Sequence, residues 1–206
     1  MQASQAKTPF EYTGGNLCLD FANTIDNRTS DHAQDLLTDY SRLLQWAEES
    51  GALGKKTVEQ LKTAVRGASS TTQSTVRAAV QLRDAIYEVF SAVAQEHAIP
   101  SDALAVVNKV AQRASQHAQV VRTNGHFAWD WISPEESLDS MLWPVARAAA
   151  ELLTSEEIDL VRQCASETCA WLFIDRTKNH RRRWCDMKTC GNRDKARRYY
   201  HRQKEG

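Results

Sequence analysis

Through the first 155 positions apolar residues recur three or four apart, a period that predicts a helical body. Gly14-Gly15 is a turn signal, and Leu17, Cys18, Phe21, Ala22 and Ile25 after it have the spacing of a short buried helix. Asp35 is the expected N-cap of a second helix, in which Leu36, Tyr40, Leu43, Leu44 and Ala47 share a face until Gly51 ends it. Thr57 to Ala68 gives a weaker helix. Thr75 to Glu96 gives the strongest, with Val76, Ala79, Leu82, Ile86, Val89, Phe90 and Val93 on one stripe, and it is expected at the centre of the core. Pro100 starts a further helix through His117, with Leu104, Val107, Val110 and Ala111 facing inward.

The period then changes. Gln119 to Thr123 and His126 to Ile132 are two β-prone runs joined by Asn124-Gly125, the pair that suits the positive φ angles of a type I′ hairpin. Ser133-Pro134-Glu135-Glu136 has the residues of a helix start, so a last helix is expected to about Leu153, kinked at Pro144. Ser155 to Glu157 is the expected boundary between a domain over 1–155 and a second over 156–206. The link is short, so the second is expected to pack against the first. The fold class is α+β: a mostly helical N-terminal domain with a small hairpin, followed by a small module of different character.

Composition agrees with a folded chain. Of 206 residues, 42% are hydrophobic and 25% charged, with only 8 Gly and 4 Pro, which excludes disordered and collagenous classes. The longest apolar runs, Ala103 to Val107 and Ala170 to Ile174, are too short for a membrane span or a secretory signal, and Met1 to Thr8 is polar. A cytoplasmic protein is expected.

The net charge of zero conceals a division. Residues 1–161 hold 13 Lys and Arg against 21 Asp and Glu, whereas residues 162–206 hold 13 against 5. An acidic body therefore precedes a tail at +8, the electrostatic signature of a nucleic-acid binder. Four of the five cysteines lie in that tail, as Cys164-x4-Cys169, a 15-residue spacer, and Cys185-x4-Cys190. Two close pairs around a spacer long enough to turn back can bring four thiolates to one structural Zn2+. Two disulfides are the competing arrangement, which a reducing cytoplasm disfavours. Cys18, in an apolar stretch, reads as a buried inert thiol. Trp171 to Ile174 suits a strand, Asp175 to Arg183 a basic loop, and Gly191 to Lys204 a terminal helix. Knuckle, hairpin, second ligand pair and helix is the order of a treble clef, and so small a core would need the metal to fold.

The tail string Trp171-Leu172-Phe173-Ile174-Asp175-Arg176, Asn179, Arg182-Arg183-Trp184-Cys185-x-Met187-x-x-Cys190-Gly191-Asn192-Arg193-x-Lys195, together with Cys164 and Cys169, resembles the CGNR zinc finger. Leu17-Cys18-Leu19-Asp20-Phe21-Ala22-Asn23-Thr24 and Leu142-Trp143-Pro144-Val145-Ala146 resemble the ABATE domain that accompanies that finger. The resemblance implies a bacterial, stress-induced transcription regulator with a ligand-binding N-terminal domain and a DNA-binding treble clef. The chain departs from the finger pattern at His180, Arg181 and Asp186. An acid beside Cys185 would repel a phosphate there.

Candidate DNA contacts are Arg181, Arg182 and Arg183 before the third cysteine, and Asn192, Arg193, Lys195, Arg197, Arg198 and Arg202 on the terminal helix. Arg193 and Arg197, like Arg198 and Arg202, are four apart and form stripes. Asn192 and Arg193 carry the side chains that read adenine and guanine. A solvated basic face balancing the zinc thiolates is the alternative. In the body, Asp20, Asn23 and Thr24 share one face of an apolar helix and need either capping partners or a ligand, and Trp131 and Trp143, with Trp129, could wall a pocket for a small-molecule effector. No P-loop, nucleophile elbow or His-Glu-x-x-His string is present, and four cysteines leave zinc no open position, so an enzyme is not expected. The competing function is an adaptor whose finger docks protein or RNA. A finger this short reads few base pairs, so a homodimer would help specificity, although no heptad seam supplies one.

Overall fold

Asn16 opens the first helix: its side chain accepts a hydrogen bond from the Cys18 N–H at 3.0 Å, and α1 (Leu17–Ala22) follows with Cys18, Leu19, Phe21 and Ala22 buried. The computed structural model describes residues 9–65 and 69–204, and the side chains of Arg198 and Arg202 lie outside what it describes. After α1 the chain makes a minimal antiparallel pair, β1 (Ile25–Asp26) with β2 (Gln34–Asp35). Then come α2 (Tyr40–Glu49), α3 (Lys55–Ala64), α4 (Ser69–Ala94) and α5 (Ser101–Ser115). The hairpin of β3 (Ala118–Thr123) and β4 (His126–Trp131) turns at Asn124-Gly125, both at positive φ as a type I′ turn requires. A last body helix, α6 (Leu142–Leu153), completes the N-terminal part.

Two starts differ from the sequence expectation. Asp39, not Asp35, caps α2, accepting the Arg42 N–H at 2.9 Å. Asp35 instead accepts the Leu37 N–H and pairs at 2.6 Å with Arg83, a core arginine 2% exposed. An ion pair that neutralises a buried guanidinium outweighs a cap. Ser133 lies in the left-handed region and caps nothing; only a single 3-10 turn, Pro134–Glu136, follows it. The α-helix begins at Leu142, so Pro144 falls in its first turn, where no N–H is needed, and the expected mid-helix kink has no place to form. The helix expected over Thr57 to Ala68 occupies Lys55–Ala64, and residues 66–68 lie outside the described set.

The core is built where α4 packs against α1, α5 and α6, with Phe21, Trp46, Leu82, Ile86, Val89, Phe90 and Val145 fully buried. It does not stop at the end of α6. After a 3-10 turn, Glu156–Leu160, the antiparallel strands β5 (Val161–Gln163) and β6 (Leu172–Ile174) lie against α4, and β6 also lies against α1, so Val161, Leu172 and Ile174 join the same cluster as the helices. A second cluster, Trp171, Phe173 and the four tail cysteines, sits on the other side of β6. One strand thus serves two cores through the alternation of its side chains. A one-turn π-helix, Met187–Gly191, leads into α7 (Asn192–Lys204).

Candidate metal centre and finger interface

The first cysteine pair sits on the turn of the β5–β6 hairpin. Cys164 N–H donates to Trp171 O at 2.8 Å, Cys169 N–H to Ser166 O at 3.2 Å, and Ala170 takes a φ of 55° to turn the chain into β6. The hairpin therefore carries the first pair, where the sequence had placed it in the spacer between the pairs. The loop after β6 is organised by Asp175, which is fully buried. Its Oδ1 accepts from the Thr177 N–H and hydroxyl, and its Oδ2 accepts the Arg182 N–H at 2.7 Å. Burial alone would raise this carboxyl, but the hydrogen bonds from Thr177 and the Arg182 N–H outweigh it and hold Asp175 below the ordinary range. The second pair is placed by Asp186, which caps the π-turn by accepting the Lys188 N–H, while Gly191 N–H returns to Asp186 O. A Cβ at Gly191 would lie 2.7 Å from Sδ of the exposed Met187 side chain, which would have to swing aside.

These two turns bring four buried sulfurs within 4.8 Å of one another. The Cys169–Cys185 and Cys185–Cys190 separations are 3.6 and 3.7 Å, against a disulfide bond of ~2.05 Å, and all five cysteines are unbridged. A tetrahedral Zn2+ with Zn–S of ~2.3 Å has S–S edges of about 3.8 Å. The donor set therefore fits one Zn2+. The neighbouring sulfurs, Cys164 first, together with burial hold the Cys185 thiol far above its ordinary range, a cost that a divalent cation reverses by ligating the thiolates. Cys18 is fully buried 0% exposed, its thiol likewise raised by burial and then by Asp20.

Asn23 ties this centre to the body. In the antiparallel register Leu172 faces Gln163, and the adjacent Cys164–Trp171 bond leaves the Leu172 N–H and C=O pointing away from β5. Asn23 meets both: Oδ1 accepts the Leu172 N–H at 2.9 Å and Nδ2 donates to Leu172 O at 2.8 Å. The side chain, 2% exposed, acts as a third strand. One residue pair further on, Ile174 N–H donates to Gly14 O at 2.9 Å. Asp20 accepts the Gly14 N–H at 2.8 Å, and burial pushes its carboxyl up to about 6. Trp171 Nε1 donates to Ile25 O, and Arg176 bridges Gly15 O and Glu157. Thr24 Oγ1 donates locally to Phe21 O. Asp20, Asn23 and Thr24 thus have protein partners, the capping alternative that the sequence left open. They are not gathered with the tryptophans: Trp143 is buried with Trp131 beside it at 5.9 Å, stacked on His117, in the α5–α6 region, while Trp129 is exposed under Arg147.

The basic residues divide into two sets. Arg182 is structural, its guanidinium over the Phe173 ring at 4.5 Å and donating to Trp184 O and Cys185 O. Arg193 reaches Asn27 Oδ1 and Thr168 Oγ1, each at 3.1 Å, and so bolts α7 to both the knuckle and the body. Arg197 pairs with Glu167 and Asp194. Asn192 Nδ2 donates to Lys188 O. Arg181, Arg183 and Lys195 are exposed, Arg183 resting against the Trp184 ring. Arg198 and Arg202 lie on α7 with side chains outside the described set. The roles of Arg193, Asp175 and Asp186 were hidden in the sequence because their partners are backbone groups or residues of the body.

Among the described residues no helix is long and apolar enough to cross a membrane. No curated protein matches the chain significantly. The zf-CGNR family model, described as "CGNR zinc finger", matches residues 161–203, from the first strand of the hairpin through nearly all of α7. The ABATE model, described as "Putative stress-induced transcription regulator", matches residues 15–156, the whole span that α1, α4, α5 and α6 occupy. The chain therefore belongs to the ABATE family, with a CGNR zinc finger at its C-terminal end.

Proposed function

We propose that this protein is a transcription regulator whose zinc-held finger binds duplex DNA and whose helical body senses a small molecule. The observation that carries the reading is the partition of the tail's positive charge. Arg182, Arg193 and Arg197 are consumed in holding the finger together, while Arg181 and Lys195 are exposed and, among the described residues, make no ion pair or side-chain hydrogen bond. Charge beyond what the fold uses, on a rigid metal-held module of net +8, suits a phosphate backbone. The metal is structural, since four thiolates fill a tetrahedral zinc and leave no position for a reacting water. The protein is accordingly read as a non-enzyme.

The test is anisotropy with labelled duplex DNA, an RNA duplex and a single strand, using the zinc-loaded chain. Arg181→Gln with Arg183→Gln should weaken duplex binding about tenfold or more near physiological salt with zinc content unchanged. Equal affinity for wild type and variant would overturn the assignment of these residues. Phe127, 75% exposed, and Trp129, 60% exposed, favour a second reading in which the hairpin docks a protein partner. That adaptor reading stands in place of the first if zinc-loaded wild type binds no nucleic acid.

A further inference from the structure

A cavity of about 260 Å³ opens between α4, α5 and the start of α6. Its apolar lining is formed by Ala78, Val106, Val110 and Leu142, and its polar lining by Gln81, Lys109, Arg113 and Asp139. Arg113 is matched by Asp139 at 2.7 Å, whereas Lys109 is exposed and, among the described residues, has no ion pair or hydrogen bond. Trp143 lines the same cavity. It is 1% exposed, and its Nε1–H is buried without an acceptor.

We propose that this cavity is an effector site for a small amphipathic carboxylate, with the apolar body on the α4–α5 lining and the anionic head near Lys109. The chemistry follows from the lining: the area to be covered is hydrocarbon, and the unmatched charge is positive. The inference rests on the sensor reading of the body given above, and it also supplies a route to the finger. α6, which begins at the cavity, packs against α1, and α1 is capped at its C-terminal end by Asn23, whose amide holds Leu172 of the finger hairpin. A ligand that shifts the start of α6 therefore acts on the element that positions the metal centre.

The probe is octanoate, titrated calorimetrically into the zinc-loaded full chain in the absence of DNA, with octylammonium as the opposite-charge control. Octanoate should bind one to one and octylammonium at least about tenfold more weakly. Lys109→Gln should weaken octanoate about threefold to fivefold. Ala78→Leu, which fills the cavity from a helical position, should abolish binding. Equal binding of octanoate and octylammonium, undiminished binding in both Ala78→Leu and Lys109→Gln, or no binding to wild type would each overturn the site. Because DNA is absent, none of these results bears on the finger, and a failure of DNA binding would leave a positive titration standing.

Discussion

Replacing Asn23 with Ala removes one side chain and strands two backbone groups. The Leu172 N–H and C=O face away from β5, and their bonds to Asn23 are 2.9 and 2.8 Å. Leu172 is fully buried, so no water replaces the amide. Each buried orphan costs about 1–3 kcal/mol, so the two together cost roughly 2–6 kcal/mol before any cavity is counted. Total stabilities of single domains are about 5–15 kcal/mol, so the loss is a large fraction of what holds the protein folded. Urea unfolding of zinc-loaded Asn23→Ala should show a loss of about 3 kcal/mol or more. Thr168→Ala, at an exposed bond to Arg193, should lose less than about 1 kcal/mol. Because Leu172 lies three residues from Cys169, the variant should also yield zinc to a chelator more readily. A loss below about 1 kcal/mol in Asn23→Ala would refute the view that this amide serves as a strand of the finger hairpin.

Asp20 should make stability depend on pH in the unusual direction for an acid. Its carboxyl is raised to about 6 by burial, above its unfolded value, so the folded state binds the extra proton and stability falls as pH rises from about 4 to about 6, then levels. Asp20→Asn removes that slope, so its stability relative to wild type should grow by up to about 3 kcal/mol across this window. A flat difference across denaturation curves at several pH values would place the carboxyl in water. Gly14→Ala sets a Cβ 2.9 Å from Leu19 Cβ and 3.0 Å from Asp20 N, and should cost about 1–3 kcal/mol, read as a lower melting temperature. Gly54→Ala meets nothing within 4 Å and is the matched control, expected to melt close to wild type. Chelating the metal should open the small cluster of Trp171, Phe173 and the cysteines, seen as a red shift in tryptophan emission that added Zn2+ reverses.

The body helices and the hairpin were legible because their signals are local: a 3.6-residue apolar period, Asn-Gly between β-prone runs, and paired cysteines. What the sequence hid was long-range. Asp35 has the chemistry of a cap, yet Arg83, 48 residues away, claims it. Ser133-Pro134-Glu135-Glu136 reads as a helix start, but the chain spends Ser137 to Asp139 binding Tyr40 and Arg113 before α6 begins. Asp20 and Asn23 stand out in the sequence as polar groups in an apolar stretch, while the identity of their partners, Gly14 and a strand 149 residues onward, is set by tertiary packing alone. Arg193 and Arg197 carry the composition of DNA contacts and the geometry of bolts. A basic residue's type does not say whether its charge is spent inside the fold.

Duplex-DNA affinity of the zinc-loaded chain across a salt series bears most directly on the proposed role. With about four phosphate contacts, log affinity should fall against log salt with a slope of roughly −3 to −4, and the Arg181→Gln, Arg183→Gln variant should flatten it by about one to two. A slope near zero with zinc bound would contradict a DNA-binding finger.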